Sequence, residues 1–159
     1  VIRRLLADSR SALGAIVLVG APGEGSQCPA LVELARTDPR VVNLIGQTSI
    51  AALMALVERS SLVVGSDSAC LHMAVGFDRP IIGLYGPTDI SRVGPYRRDA
   101  QVIQKLLPTD RFDHKTESVG RDMMQRITVD DVLTRIAETL APEPIALPAL
   151  QPATPERTA

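Results

Sequence analysis

Short apolar runs rich in valine and isoleucine alternate along this chain with segments of helical periodicity. Residues 15–19, 41–44 and 62–64 are each predicted to form a strand, because a brief β-branched run ends in a turn of glycine and polar residues. Each run is followed by apolar side chains at the spacing of an amphipathic helix. Repeated strand–turn–helix units imply right-handed crossovers between parallel strands, so we predict an α/β fold with a doubly wound parallel sheet.

The same alternation continues towards both ends of the chain. Residues 80–86 are apolar in succession, which favours a strand covered by helices on both faces, and another strand is predicted at residues 101–104. Residues 129–140 are predicted to form a closing helix capped by Thr128. The helical pattern of residues 1–7 has no strand ahead of it. From this we expect the chain to be the C-terminal piece of a longer protein that supplies the first strand.

The end of the chain has a different composition from the rest. Residues 141–159 contain five prolines and few large apolar side chains, too few to form a core. We therefore predict one folded domain over residues 1–140 and a disordered, proline-rich tail over residues 141–159.

Charge and hydropathy limit the classes of partner. Seventeen lysines and arginines against eighteen acids, without a long run of either sign, argue against a nucleic-acid surface. No apolar stretch approaches the ~20 residues that cross a bilayer, and no signal peptide is recognisable. We expect a cytoplasmic protein with at most peripheral membrane contact.

The stretch SDSACLHMA, residues 66–74, follows a predicted strand directly. In parallel sheets, ligands bind at the carboxyl ends of the strands, where helix N-termini direct free N–H groups at anions. Asp67 lies at such an end, and either Asp67 or Ser68 could instead serve only to cap the next helix. His72 lies one turn into that helix, where spacing alone favours a buried core histidine over a ligand contact.

Two further loops are expected at the same edge of the sheet. GAPGEG places Glu24 between two glycines after a strand, where an acid can accept hydrogen bonds from both hydroxyls of a ribose, although a solvated turn is an equal alternative. YGPTD, residues 85–89, offers N–H groups and a threonine hydroxyl of the sort that hold phosphate. Neither loop matches the glycine motifs of kinases or dinucleotide enzymes, and there is no metal-binding histidine pair.

Taken in order, these motifs resemble a known family. GAPGE, followed by LIGQTS, GSDSACLHMA and LYGPTD at their spacing here, is similar to the C-terminal half of the ADP-heptose:lipopolysaccharide heptosyltransferases, glycosyltransferase family 9. The resemblance covers roughly residues 15–96. It implies the C-terminal Rossmann-like domain of a GT-B enzyme, binding an ADP-sugar donor and transferring the sugar with inversion, without a metal or other cofactor. The acceptor would be a saccharide or lipid-linked molecule of the lipopolysaccharide type.

The resemblance also assigns roles to individual residues. Asp67 would hold sugar hydroxyls, while Ser68 and the backbone of Ala69 would meet the pyrophosphate beside His72. Glu24 corresponds to a ribose-binding acid and Thr48 lies in the loop near the base. A second wall of the site would be formed by Gly86, Pro87 and Thr88.

This sequence departs from the family in two respects. Glycine is usual where Ala69 stands, and a methyl group there crowds the close approach of a phosphate. The N-terminal domain, which would carry the general base and the acceptor site, is not represented, so we expect this chain alone to bind without turnover. A nucleotide-sugar epimerase of the GT-B type and a non-catalytic nucleotide or interaction module are the alternatives.

Overall fold

The computed structural model describes residues 1–7, 14–112 and 117–141. The strands are β1 (Ile16–Leu18), β2 (Val41–Asn43), β3 (Val63–Gly65), β4 (Ile81–Tyr85) and β5 (Val102–Gln104). The helices are α1 (Ile2–Ala7), α2 (Pro29–Thr37), α3 (Ile50–Arg59), α4 (Ala69–Gly76), α5 (Ile90–Val93), α6 (Glu117–Gln125) and α7 (Val129–Leu140). The predicted alternation of strands and helices is thus confirmed. The tail predicted to be disordered lies, from residue 142 onwards, outside the described residues.

Two of the helices were not predicted from the sequence. α5 is a single turn that starts because the Asp89 carboxylate accepts hydrogen bonds from the Ser91 N–H, at 3.0 Å, and hydroxyl, at 2.7 Å. α6 is polar over most of its length but buries Met123, which is 1% exposed. Throughout the described ranges, no helix combines the length and apolar character needed to span a membrane.

All strand pairs are parallel, and they form two ladders. β1 pairs with β2 in a register that places Ile16 opposite Val41. β4 lies between β3 and β5, with Val63 opposite Ile81. Among the described residues no ladder joins β1 to β3, so the predicted sheet consists of a two-stranded and a three-stranded part. Within each part the strands end at a common edge, where the loops that lead into the helices lie.

Strand β4 is covered on both faces, as its continuous apolar sequence predicted. Ile81 and Ile82 point to opposite faces and are both 0% exposed. Ile81 packs with Leu71 of α4 in one core cluster, whereas Ile82 packs with Val132 of α7 in another. β4 is therefore packed between two layers of helix from its first residues.

Helix α1 contacts both parts of the sheet. Leu6 belongs to the cluster formed with Leu34 of α2 and Val41 of β2, and it is 9% exposed. The neighbouring Leu5 packs instead against the cluster that contains Ile82. α1 therefore connects the packing of the two-stranded part to that of the three-stranded part.

Helix α7 begins at a capping box, which confirms Thr128 as its cap. The Asp131 N–H donates to the Thr128 hydroxyl oxygen at 3.1 Å, and the Thr128 N–H donates to the Asp131 carboxylate at 2.9 Å. Lys105 Nζ lies 2.8 Å from the other oxygen of that carboxylate. Asp131 therefore ties α7 to the loop that follows β5.

We expect the Asp131→Asn variant to lose part of the acid sensitivity of folding. The Lys105 ammonium, followed by the Thr128 N–H and hydroxyl, lowers the pKa of Asp131 from 3.8 to about 2. Because the folded-state pKa is depressed, this stabilisation is present above about pH 4 and is lost as the pH falls towards 2. Urea midpoints at pH 5 and pH 3 measure it, and the variant should lose less of its midpoint on acidification than the unmodified chain.

The matched control is Asp130→Asn on the same helix turn, because the Asp130 side chain is 76% exposed and its ion pair with Arg4 is solvent-exposed, which makes its contribution to stability small. Its midpoint should follow that of the unmodified chain at both pH values. Parallel losses in the Asp131 variant and the unmodified chain would show that this carboxylate does not contribute to the acid sensitivity.

Candidate functional site

The connection from β3 to α4 presents unpaired backbone N–H groups. Ser68 is the N-cap residue of α4, with an extended backbone (φ −151°, ψ 157°), but its side chain makes no capping hydrogen bond. Its carbonyl oxygen accepts from the N–H groups of Leu71 and His72, at 3.1 and 3.3 Å. The N–H groups of Ala69 and Cys70 precede the first intrahelical donor and have no partner among the described residues. The start of α4 is therefore available to a ligand.

The capping alternative for Asp67 and Ser68 is therefore wrong as far as their side chains are concerned. Asp67 lies one residue before the N-cap, and its carboxylate accepts no hydrogen bond from a backbone N–H group of α4. The polar side chains at the end of β3 are left free for other contacts.

Asp67 and His72 form a pair beside this helix start. Asp67 Oδ1 lies 3.3 Å from His72 Nε2, and the two side chains are 38% and 44% exposed, respectively. The prediction of a buried core histidine, which spacing alone had favoured, is wrong. In the described structure the second Asp67 oxygen has no hydrogen-bond partner, so the pair presents an acceptor to solvent beside the free N–H groups of α4.

The loop after β1 is organised by Glu24. The Ala21 N–H donates to Glu24 Oε2 at 2.8 Å, so one carboxylate oxygen is already engaged within its own loop. A Cβ atom at Gly20 would lie 2.5 Å from that oxygen, so a larger residue there would displace the Glu24 carboxylate. Gly23 has a φ of 92°, a conformation that glycine adopts at low cost. Glu24 is exposed and keeps one oxygen free for a ligand.

The loops after β1 and β2 are joined to each other. The Gly46 N–H donates to the Gly20 carbonyl oxygen at 2.9 Å, and a Cβ atom at Gly46 would lie 3.0 Å from the backbone of Pro22. Thr48 is half-buried in the second loop, and its hydroxyl has no hydrogen-bond partner among the described residues. Ser49 caps α3 by accepting from the Ala52 N–H at 3.2 Å. Glu24 and Thr48 therefore lie on two connected loops.

The loop after β4 is held by a residue that sequence reasoning missed. Gln104 Nε2 donates to the carbonyl oxygens of Gly86 and Thr88, at 2.7 and 2.8 Å. Gly86 is buried against Met124 of α6, to which a Cβ atom at this position would lie 2.9 Å away. Pro87 packs beside Gly120 of the same helix. The only sequence signal for Gln104 is an amide at the end of a predicted strand. Gly86 and Pro87 are therefore positioned by β5 and α6.

The predicted site residues fall into two groups. Glu24 and Thr48 lie at the ends of β1 and β2, whereas the others follow β3 and β4: Asp67, Ser68, Ala69, His72, Gly86, Pro87 and Thr88. No hydrogen bond or ion pair between described residues joins the two groups. Among those same residues, no cluster of three or more histidine, cysteine or acidic side chains is arranged to hold a metal ion.

Comparisons with known proteins point to one family. The model of glycosyltransferase family 9 (heptosyltransferase) matches residues 5–120. The chain is 36% identical over 65 residues to lipooligosaccharide heptosyltransferase 2 of Haemophilus influenzae. The aligned residues cover 41% of this chain and 19% of that protein. It is 32% identical over 105 residues to the Haemophilus ducreyi enzyme of the same name, covering 63% of this chain and 30% of that protein. The chain thus spans less than a third of either relative.

Solved structures show the same fold. The Escherichia coli ADP-heptose lipopolysaccharide heptosyltransferase II superposes with a TM-score of 0.62 at 22% identity, covering 79% of this chain and 36% of that one. A family 9 glycosyl transferase from Veillonella parvula gives a TM-score of 0.54 at 21% identity, covering 78% and 37%. The fold is that of a Rossmann-like glycosyltransferase domain. Since the family model also matches well over half of the sequence, this chain belongs to glycosyltransferase family 9, the heptosyltransferases.

Proposed function

We propose that this chain is the donor-binding domain of an inverting, metal-independent glycosyltransferase. In this proposal the donor is an ADP-sugar carrying a heptose or a similar sugar, and the acceptor is of the lipopolysaccharide type. The observation that carries the proposal is the uncapped start of α4 beside the exposed Asp67–His72 pair. The family membership and the names of the relatives support the sugar and the acceptor class.

The chemistry of sugar transfer suits an uncapped helix start. As the glycosidic bond breaks, the departing nucleoside diphosphate gains negative charge. The free N–H groups of Ala69 and Cys70 and the positive end of the α4 dipole stabilise that charge without reorganising. The unpartnered oxygen of Asp67 accepts a hydrogen bond from a sugar hydroxyl, and His72 holds the other oxygen. The Ala69 methyl group leaves less space for the phosphate next to the backbone than glycine would leave.

The nucleoside is assigned to the loops after β1 and β2. Glu24 Oε1 has no partner among the described residues and accepts from a ribose hydroxyl in this proposal, while Oε2 remains on the Ala21 N–H. Thr48 lies on the loop that Gly46 ties to Gly20, close to the adenine end of the donor. The Gly86–Thr88 loop, fixed by Gln104, forms the opposite wall.

We also propose that a strand from outside this chain completes the sheet between β1 and β3. The Ile16 N–H donates to the Arg40 carbonyl oxygen next to β2. Because successive residues of a strand direct their N–H and C=O groups to opposite sides, those groups of Val17 point away from β2. The Val63 N–H donates in the same way to the Pro80 carbonyl oxygen next to β4, so the backbone N–H and C=O groups of Val64 point away from β4. Both valines are partly exposed, at 39% and 42%. The family resemblance implies that this first strand of the domain is supplied from upstream, as is the separate N-terminal domain that carries the general base and the acceptor site.

Titration of the ¹⁵N-labelled chain with ADP-heptose tests the proposed donor site. We expect amide shifts to change at four strand-end loops: residues 20–25, 46–49, 66–72 and 86–89. The physical reason is that a ligand at the carboxyl edge contacts the backbone of these loops directly. Inorganic phosphate at equal ionic strength is the control for a non-specific anion effect. Shift changes confined to the opposite edge, such as residues 60–62 and 77–80, would contradict the proposal.

A further inference from the structure

Tyr85, the last residue of β4, carries a buried hydroxyl without a partner. The residue is 1% exposed, and its hydroxyl oxygen has no hydrogen-bond partner among the described residues. Its ring lies against Gly83 and Leu71, since a Cβ atom at Gly83 would be 2.8 Å from Tyr85 Cε2 and 3.2 Å from Leu71 Cδ2. The ring is therefore packed between β4 and α4.

Packing alone does not account for this tyrosine. Phenylalanine would fill the same space without burying an unsatisfied polar atom, which costs free energy in the folded state. Buried polar groups in folded proteins nearly always have a partner, so an exception calls for a specific explanation. The Tyr85 hydroxyl is thus a donor that has no acceptor among the described residues in the absence of a ligand.

Asp67 supplies an acceptor in the same region, because Gly65 of β3 lies opposite Gly83 of β4 and Asp67 and Tyr85 each follow two residues later. Burial, followed by the negative charge of Asp67, raises the pKa of Tyr85 to about 12, so the hydroxyl keeps its proton at neutral pH. Asp67 in turn has one oxygen on His72 Nε2 and one without a partner. Hydrogen bonds in a binding site are often long or unformed in the free protein and tighten when the ligand is bound.

We infer that Tyr85 is a positioning residue for Asp67: when a donor sugar hydroxyl engages Asp67, the Tyr85 hydroxyl donates to its carboxylate, directly or through one water, and fixes its orientation. The inference rests on the proposed donor site. It goes further by assigning a role to a residue in the core behind that site. ADP lacks the sugar that Asp67 is proposed to hold, so Tyr85 should affect the binding of an ADP-sugar and not that of ADP.

Calorimetric titration of the Tyr85→Phe variant with ADP-heptose and with ADP tests this role. We expect the dissociation constant for ADP-heptose to rise by about 5- to 10-fold, the effect of one hydrogen bond, and that for ADP to stay unchanged. The urea midpoint should stay the same or rise, because the variant buries no unpartnered hydroxyl. The matched control is Tyr96→Phe, since Tyr96 is 71% exposed with Arg97 over its ring. It should change neither constant.

A double-mutant cycle separates action through Asp67 from a local packing effect. In an Asp67→Asn background the Tyr85→Phe substitution should add little further loss of ADP-heptose affinity. Unchanged ADP-heptose affinity, equal losses for both ligands, or full additivity with Asp67→Asn would each overturn the inference. If the unmodified chain bound neither ligand, the proposed donor site itself would be wrong and the inference would fall with it.

Discussion

We expect the 159-residue chain alone to transfer no detectable sugar from ADP-heptose to a truncated lipopolysaccharide acceptor. A longer protein that also contains an acceptor-side domain should transfer it. Inversion requires a base on the face of the sugar opposite the leaving group, within hydrogen-bond reach of the acceptor hydroxyl and held in near-attack geometry. The polar groups around α4, including Asp67, Ser68 and His72, all lie on the proposed donor side. Product analysis by mass spectrometry on both proteins measures the difference.

The control for this comparison is donor binding by the short chain. If it binds ADP-heptose without turnover, the division of labour between two domains is supported. Turnover by the short chain at a rate comparable to that of the longer protein would refute it, and would make His72 or Asp67 the candidate base.

The Asp67→Asn variant is expected to weaken ADP-heptose binding by about 1–3 kcal/mol, the contribution of a hydrogen bond to a charged group, or roughly 5- to 150-fold in the dissociation constant. Folding stability should change by less than about 1 kcal/mol, because Asp67 does not cap α4 and its contact with His72 is solvent-exposed. Calorimetry gives the affinity and urea unfolding gives the stability.

Asp99→Asn is the matched control for that variant. Asp99 is an exposed acid in a short 3-10 helix, Asp99–Gln101, that precedes β5 and lies at the opposite end of that strand from the proposed site. It should leave both the affinity and the stability unchanged. A loss of stability in the Asp67 variant without a loss of affinity would show that this carboxylate serves the fold and not the ligand.

Local sequence patterns predicted much of the fold, because strand propensity, helix periodicity and capping depend on residues that are close together in the sequence. β-branched runs predicted each strand to within about two residues at either end, and Thr128 was predicted as a cap from its position before an apolar helix. α6 was missed because its sequence is polar, and it forms where Met123 is buried against the rest of the domain.

Site residues were predicted in type but not in arrangement. A capping role for Ser68 follows from its neighbours in sequence, yet its hydroxyl makes no bond to α4. His72 on an apolar helix reads as a core residue, yet the direction of α4 leaves it exposed and 3.3 Å from Asp67. Whether a helix side chain faces the core depends on the rotation of the helix against its neighbours, which spacing along one helix does not specify.

By itself, the sequence determined the class of fold, the edge of the sheet where the polar loops gather, and the family motifs within those loops. Tertiary structure decided which loops are joined: Gly46 to Gly20, and Gln104 to Gly86 and Thr88. It also decided that β1 and β3 remain unpaired with each other among the described residues and that the Tyr85 hydroxyl is buried without a partner there. These contacts link residues far apart in the chain, and they depend on strand pairing and helix packing that no local pattern encodes.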